Sequence, residues 1–169
     1  MSEPAAVAAE PGAIRLGVRV GIDVGSVRVG VAVCDRDGVL ASPLETVRRP
    51  SRAQGPADLA RIAALVTEYA ALEVVVGLPL SMSGARGAAA QTALEYAIAI
   101  ATAVAPVPVR LVDERLSSVS AHGHFDAAGM GSRARRDVVD QAAAAIILQS
   151  ALDAERSSGR APGEVVAPR

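Results

Sequence analysis

Apolar and polar positions alternate with a period of two where the ordered part of the chain begins. Val18-Arg19-Val20-Gly21-Ile22-Asp23 keeps every second residue apolar, as a β-strand does when one face meets a core. A short Gly25-Ser26 turn follows, and Val27, Val29, Val31 and Val33 resume the alternation. Asp35-Arg36-Asp37-Gly38 has the residue types of a hairpin turn, and a third strand is expected over Val39 to Val47. The chain therefore opens as an antiparallel meander of three strands.

The period then changes. Leu59, Ile62, Ala63, Val66 and Tyr69 fall at helical spacing behind Pro56 and Asp58. Val74-Val75-Val76 is a continuous apolar run ending in Gly77, the pattern of a buried parallel strand. Arg86 to Val104 predicts a long Ala-rich helix, which Pro106 and Pro108 stop before a strand over Val109 to Val112. A helix is expected from Ser117 to about Ala128, broken by Gly129 and Gly131. Asp137 to Ala154 predicts a final helix, apolar on nearly every side and so largely buried. The order βββαβαβαα specifies an α/β domain with a mixed sheet. That domain is expected over residues 15–155; residues 1–14 and 156–169, rich in Ala, Pro, Gly and scattered charge, read as loose tails.

Composition narrows the chemistry. The 169 residues suffice for one domain with a sizeable core, and 51% apolar with 21% charged residues excludes a disordered chain. With two Tyr, one Phe and no Trp, alanine and valine must fill the interior, and no aromatic platform stands ready to stack unpaired bases. All 17 basic residues are Arg, so any phosphate contact must come from Arg, a hydroxyl or a backbone N–H. A net charge of −1 is unlike a protein that coats nucleic acid nonspecifically; binding would rest on a local patch and a divalent cation. A single cysteine excludes an internal disulfide, and the apolar run before Cys34 marks a buried structural thiol rather than a nucleophile. No stretch has the length of a membrane span, and Met1 to Glu10 lacks the pattern of a secretory signal. A cytoplasmic protein is the simplest reading.

Function turns on where the acids fall. Sites in open α/β sheets form outside the carboxyl ends of the parallel strands. Asp23 closes the first strand, Gly77 the fourth and Asp113-Glu114 the fifth, so these positions meet at one sheet edge if the three strands are parallel. Asp140 is expected in the first turn of an otherwise apolar helix, a costly place for a carboxylate without a partner. Three carboxylates brought together repel unless a cation sits between them, and oxygen-only donors suit Mg²⁺ or Mn²⁺. Two such ions can hold a scissile phosphate, activate a water and stabilise the leaving oxygen. Plainer roles compete: Asp23 as a turn cap, Glu114 as an ion-pair partner of Arg115, Asp137 and Asp140 as acids complementing a helix dipole.

The residues also carry a resemblance. Gly21-Ile22-Asp23-Val24-Gly25-Ser26-Val27-Arg28-Val29-Gly30-Val31-Ala32 resembles the first motif of the YqgF (RuvX) family, described as Holliday junction resolvases and as pre-16S rRNA nucleases. Val76-Gly77-Leu78-Pro79-Leu80 with Gly84 and Gly87 resembles its second motif. Val112-Asp113-Glu114-Arg115-Leu116-Ser117-Ser118 resembles the third, and Asp140-Gln141-Ala142-Ala143 through Ile147-Leu148-Gln149 the fourth. The resemblance covers about Val18 to Leu152 with the motifs in order. It implies a ribonuclease H-like fold, a five-stranded mixed sheet of order 3-2-1-4-5 flanked by helices. It also implies catalytic and metal-ligand roles for Asp23, Glu114 and Asp140, with Asp113 and Asp137 as supporting acids. The chain departs from the family pattern at Val27, at Ser83-Gly84-Ala85, and at Arg133, Arg135 and Arg136, where a Lys is common.

Arg28 is placed to reach a phosphate, or else decorates the hairpin surface. Arg133, Arg135 and Arg136 form the densest basic cluster, expected as a strand-gripping loop before Asp140. Gly77, Gly84 and Gly87 frame a loop where a backbone can approach a phosphate, or serve turn geometry alone. His122 and His124, two apart, would diverge on a helix. The reading that results is metal-dependent phosphodiester hydrolysis of nucleic acid by an activated water, with no covalent intermediate. A sugar kinase or actin-like ATPase shares the Asp-Val-Gly-Ser start but needs two such domains. A non-catalytic RNA- or ribosome-binding factor is the alternative. Symmetric resolution of a four-way junction would require a two-fold homodimer; trimming a ribosomal RNA precursor would not.

Overall fold

A computed structural model of the chain describes residues 13–116 and 131–169. The meander forms as expected: β1 (Arg19–Val24), β2 (Arg28–Cys34) and β3 (Ala41–Arg48) pair antiparallel in sequence. The turn between β2 and β3 is knit by Asp35, whose carboxylate accepts the N–H groups of Asp37, Val39 and Leu40, while Gly38 takes a positive φ of 65°. Then come α1 (Ala57–Glu68), β4 (Glu73–Leu78), α2 (Ala88–Val104) and β5 (Val109–Asp113), with β4 parallel to both β1 and β5. The last helix, α3, spans Ser132–Ser158. The expected helix at 117–128, with His122, His124 and Gly129, lies outside the described residues.

Two expectations are corrected. The sheet has six strands, not five: β6 (Glu164–Val166) adds antiparallel to β5, giving the order β3-β2-β1-β4-β5-β6. The 3-2-1-4-5 core of the expected ribonuclease H-like arrangement is intact. Residues 156–169, expected as a tail, instead carry the last turn of α3 and this strand, whose Val166 is buried beside Val109. Second, α3 starts five residues before Asp137, so Asp140 lies in its third turn rather than its first. Ser132 to Arg136 are all exposed, and a helical segment that touches no core leaves no apolar period to read.

Strand alternation splits the core in two. Val20, Ile22, Val29, Val31, Val74 and Val76 face α1 and α2. Ala32, Val75 and Val112 face α3, which among the described residues covers the other side with Ala144, Ile147, Leu148 and Leu152. Without large aromatics, α3 closes on the sheet by coming very near it, over one glycine on each of three adjacent strands. A Cβ at Gly21 would sit 2.7 Å from Leu148 Cβ, one at Gly77 2.7 Å from Ile147 Cδ1, and one at Gly30 would run into the Asp140 carbonyl. Gly30→Ala should therefore cost about 1–3 kcal/mol in denaturant melts by pushing α3 off the sheet, whereas Gly55→Ala, with open space at its Cβ but a strained φ, tests conformation without crowding.

At the amino end of the same face the core ends in charge. Arg19, Glu73 and Glu155 are all buried. Glu73 takes Arg15 at 2.7 Å and Arg110 at 2.8 Å, while Glu155 takes Arg15 at 2.7 Å and Arg19 at 3.2 Å. The Cys34 thiol, buried as expected, accepts the Arg19 backbone N–H at 3.1 Å. Among the described residues no helix is long and apolar enough to cross a membrane.

Candidate active site

The register decides which acids share a face. Asp23 is paired across β1–β2 with Gly30, and the parallel β1–β4 ladder ends with Ile22 beside Val76, one step short of Gly77. Asp23 is thus flanked by glycines, and its carboxyl has an open floor on the α3 side. On β5, Val112 faces α3, so Asp113 must turn away and Glu114, two residues on, turns back. A single 3₁₀ turn, Glu114–Leu116, carries Glu114 over Gly77, where a Cβ would lie 2.5 Å from Glu114 Oε1. A side chain at Gly77 would fill the space Glu114 uses. Asp113, meanwhile, is bound by the Arg115 guanidinium at 2.7 Å, so Arg115 pairs with Asp113 rather than drawing Glu114 away from the sheet edge.

Asp23 and Glu114 share a side-chain hydrogen bond. Burial chiefly, with the nearby charge of Asp140, lifts the Asp23 carboxyl from 3.8 to about 6. Burial, with the Asp23 charge, lifts Glu114 from 4.5 to about 7. Asp140 belongs to the same electrostatic group, but its Oδ2 accepts Arg28 Nε at 2.8 Å, and Asp137 lies 3.7 Å from the same nitrogen. Two of the three predicted acids are therefore in direct contact, and the third is held next to them by an arginine. Among the described residues no three acids, His or Cys are gathered into one ready coordination shell.

Because both carboxyls are raised, the folded chain binds their protons more tightly than the unfolded chain. Their favourable contribution is complete below the unfolded values near 4 and is lost as pH rises through about 6 and 7. Without metal, the melting temperature should fall between about pH 4 and pH 8, and Glu114→Gln should flatten that slope. A slope that is unchanged in the variant would show that the two acids are solvated.

The basic residues separate. Arg28 and Arg133 line a cleft of about 100 Å³ with Thr46, Arg48 and Asp137. Arg135 and Arg136 stand exposed on the first turn of α3, outside that cleft. All three sit on a helix, not in the loop expected. Arg48 was missed by the sequence reading, although it faces Arg28 directly across β2–β3. Like charges opposite each other in a sheet are unfavourable unless something anionic lies between them. Gly84, with a positive φ of 82°, turns the loop after β4, whereas nothing crowds Gly87.

One face of α3 connects these features. Arg133 and Asp137 line the arginine cleft, Asp140 follows one turn on, and Ala143, Ile146 and Ile147 continue along it. The last three wall a cavity of about 390 Å³ with Pro79, Leu80, Met82, Arg115 and the two paired acids.

The family model described as "RuvX: Holliday junction resolvase" matches residues 17–154. The chain belongs to the RuvX family. A relative from Thermobifida fusca, named "Putative pre-16S rRNA nuclease", is 54% identical over 160 residues, covering 90% of this chain and 98% of the relative. A Streptomyces coelicolor relative of the same name is 51% identical over 166 residues, covering 98% of each. Among solved structures, Thermus thermophilus RuvC in complex with a Holliday junction substrate is similar at a TM-score of 0.48 and 19% identity, over 84% of this chain and 98% of that one. The RuvX family is one of phosphodiester hydrolases, and the matched span contains Asp23, Arg28, Arg48, Glu114, Arg133, Asp137 and Asp140. It stops short of β6.

Proposed function

We propose that this chain is a divalent-cation-dependent nuclease that hydrolyses phosphodiester bonds in structured nucleic acid, with Asp23, Glu114 and Asp140 as its catalytic acids. The observation that supports it most is the half-buried Asp23–Glu114 pair, two carboxyls held together over a glycine floor at the carboxyl edge of a parallel sheet. Acids raised in this manner by desolvation and by each other's charge gather where chemistry is done.

The donor set fits Mg²⁺ or Mn²⁺. Asp23 and Glu114 are hard oxygen donors already in contact, and Asp140 would complete the set in exchange for its ion pair with Arg28. When bound, such an ion supplies charge stabilisation at the phosphate and lowers the pKa of a bound water. The chain's own groups do the rest. Arg28, Arg48 and Arg133 orient the phosphate from the adjoining cleft, aided by the cationic first turn of α3 with Arg135 and Arg136. Gly77 keeps the approach open, and the apolar wall of α3 limits water to the carboxyl edge.

The family and its named relatives point to two substrates, the end of a ribosomal RNA precursor and a four-way DNA junction. The test is a side-by-side cleavage assay on both, with duplex and single-stranded RNA, in Mg²⁺, Mn²⁺ and chelator. The expected result is cleavage that is lost with chelator, together with a rise in melting temperature on adding metal. No cleavage of any substrate with either metal would replace this reading with a non-catalytic RNA-binding factor. Cleavage of the junction in paired, symmetric nicks, with a dimer in sedimentation, would assign the junction.

A further inference from the structure

The cavity beside the carboxylates is built unlike the arginine cleft. Its walls are Pro79, Leu80 and Met82 from the loop after β4, and Ala143, Ile146 and Ile147 from α3; the Asp23 and Glu114 carboxyls form its inner end. At about 390 Å³ it lies at the low end of small-ligand pockets, which run from roughly 300 to 1,000 Å³. That is room for one nucleoside and too little for a base pair. Met82 stands at its mouth with 96% of its surface exposed, so the fold makes no use of it. An isolated apolar side chain in water is ordinary alone; one that completes an apolar pocket ending in two paired carboxyls is not.

We propose that this cavity receives a single unstacked nucleobase next to the scissile phosphate, so that the substrate must offer an unpaired nucleotide at the point of cleavage. The inference rests on the nuclease reading for its orientation. A strand whose phosphates lie in the Arg28–Arg48–Arg133 cleft and pass over Asp23 and Glu114 arrives at this cavity next, along the same face of α3. The sequence has almost no aromatic residues with which to stack a base. A methionine thioether and branched aliphatic walls supply an alternative, since sulfur and methyl groups pack favourably against aromatic faces and adapt to any of the four bases. The pocket would hold a base by its faces, without reading its edge. A nucleobase fits better than an aliphatic ligand because the inner end is anionic and shared with the phosphate path.

The test is binding by fluorescence anisotropy, using full-length protein without divalent cation and three probes. These are a short single-stranded RNA of mixed sequence, the same strand with every base removed, and the RNA paired as a continuous duplex. The wild type should bind the single strand about tenfold more tightly than the abasic strand or the duplex, the size expected of one buried base. Met82→Ser combined with Leu80→Ala should erase most of that preference while leaving the salt dependence, which reports phosphate contacts, unchanged. Met82→Ser alone, at an exposed position, guards against a folding defect and should remove part of it. Equal binding of the intact and abasic strands by the wild type overturns the proposal, as does a double variant that keeps the full preference. Cleavage of the same probes with Mg²⁺ separates the two ideas. Base preference with no cleavage of these probes, the junction or the ribosomal precursor leaves the pocket standing and removes the nuclease; cleavage without base preference does the reverse.

Discussion

Asp23→Asn is expected to lower phosphodiester cleavage by about 1,000-fold or more while the chain remains folded, and Glu114→Gln should do nearly the same. Asp23 and Glu114 touch each other over Gly77, so removing either charge leaves the proposed cation site with one carboxylate of that pair and Asp140, which Arg28 holds in an ion pair. That loss corresponds to about 4 kcal/mol of transition-state stabilisation. Stability should move the other way. The Asp23 carboxyl is raised to about 6, so above that pH its ionised form is held at a cost, and Asn removes it. Near pH 8, without metal, Asp23→Asn should melt higher than the wild type, and added Mg²⁺ should stabilise the wild type only. Arg28→Ala provides the contrast, because it frees Asp140 and removes a phosphate contact together. A variant lacking Asp23 that still cleaves within about tenfold of the wild type would falsify the assignment of the site.

The second large effect lies at the opposite end of the sheet. Glu73→Ala should destabilise the chain by about 3–5 kcal/mol. Glu73 is buried and serves Arg15 and Arg110 directly, with Arg19 3.9 Å away. Removing it strands the buried Arg19 guanidinium, whose Nε already has no hydrogen-bond partner, with Glu155 as its only remaining carboxylate in the cluster. For a chain of this size the melting temperature should drop by about 10 °C, and the denaturation midpoint should fall with an unchanged slope. Removing the positive charges with it, as in Arg19→Leu with Glu73→Leu, should restore most of the loss, because a buried ion pair gains little over well-packed apolar residues. If Glu73→Ala leaves the midpoint where it was, water reaches the cluster and the charges are solvated.

Much of this architecture is legible in the residues because strand and helix periods are strong where one face is buried. Val18 to Asp23 and Val74 to Gly77 announce β1 and β4, and the ends of those strands mark the site edge. Glu114 over Asp113 is a matter of alternation, readable once β5 is fixed. What stays hidden is what lacks a period. The start of α3, Ser132 to Arg136, is exposed throughout, so no buried face marks where the helix begins or how far into it Asp140 lies. β6 is three residues long and buries only Val166. Arg48 belongs to the arginine cleft through pairing across β2–β3, a relation no local window contains. Arg19 and Glu73 sit in apolar runs as visible exceptions, yet their partners Arg15, Arg110 and Glu155 come together only in the fold.

Helix α3 ties two properties that enzymes often keep apart. It packs the smaller of the two core clusters through Ala144, Leu148 and Leu152 and also carries Asp140. An enzyme whose active-site acid rides on a surface loop can trim its core without disturbing its chemistry; with Asp140 in the role proposed for it, this chain has no such freedom. A volume change at Leu148, four residues past Ala144 and packed against Gly21, would translate the whole rod and shift Asp140 with it. Losses of activity from interior substitutions on this side would then be errors of aim, arising in molecules that are still fully folded.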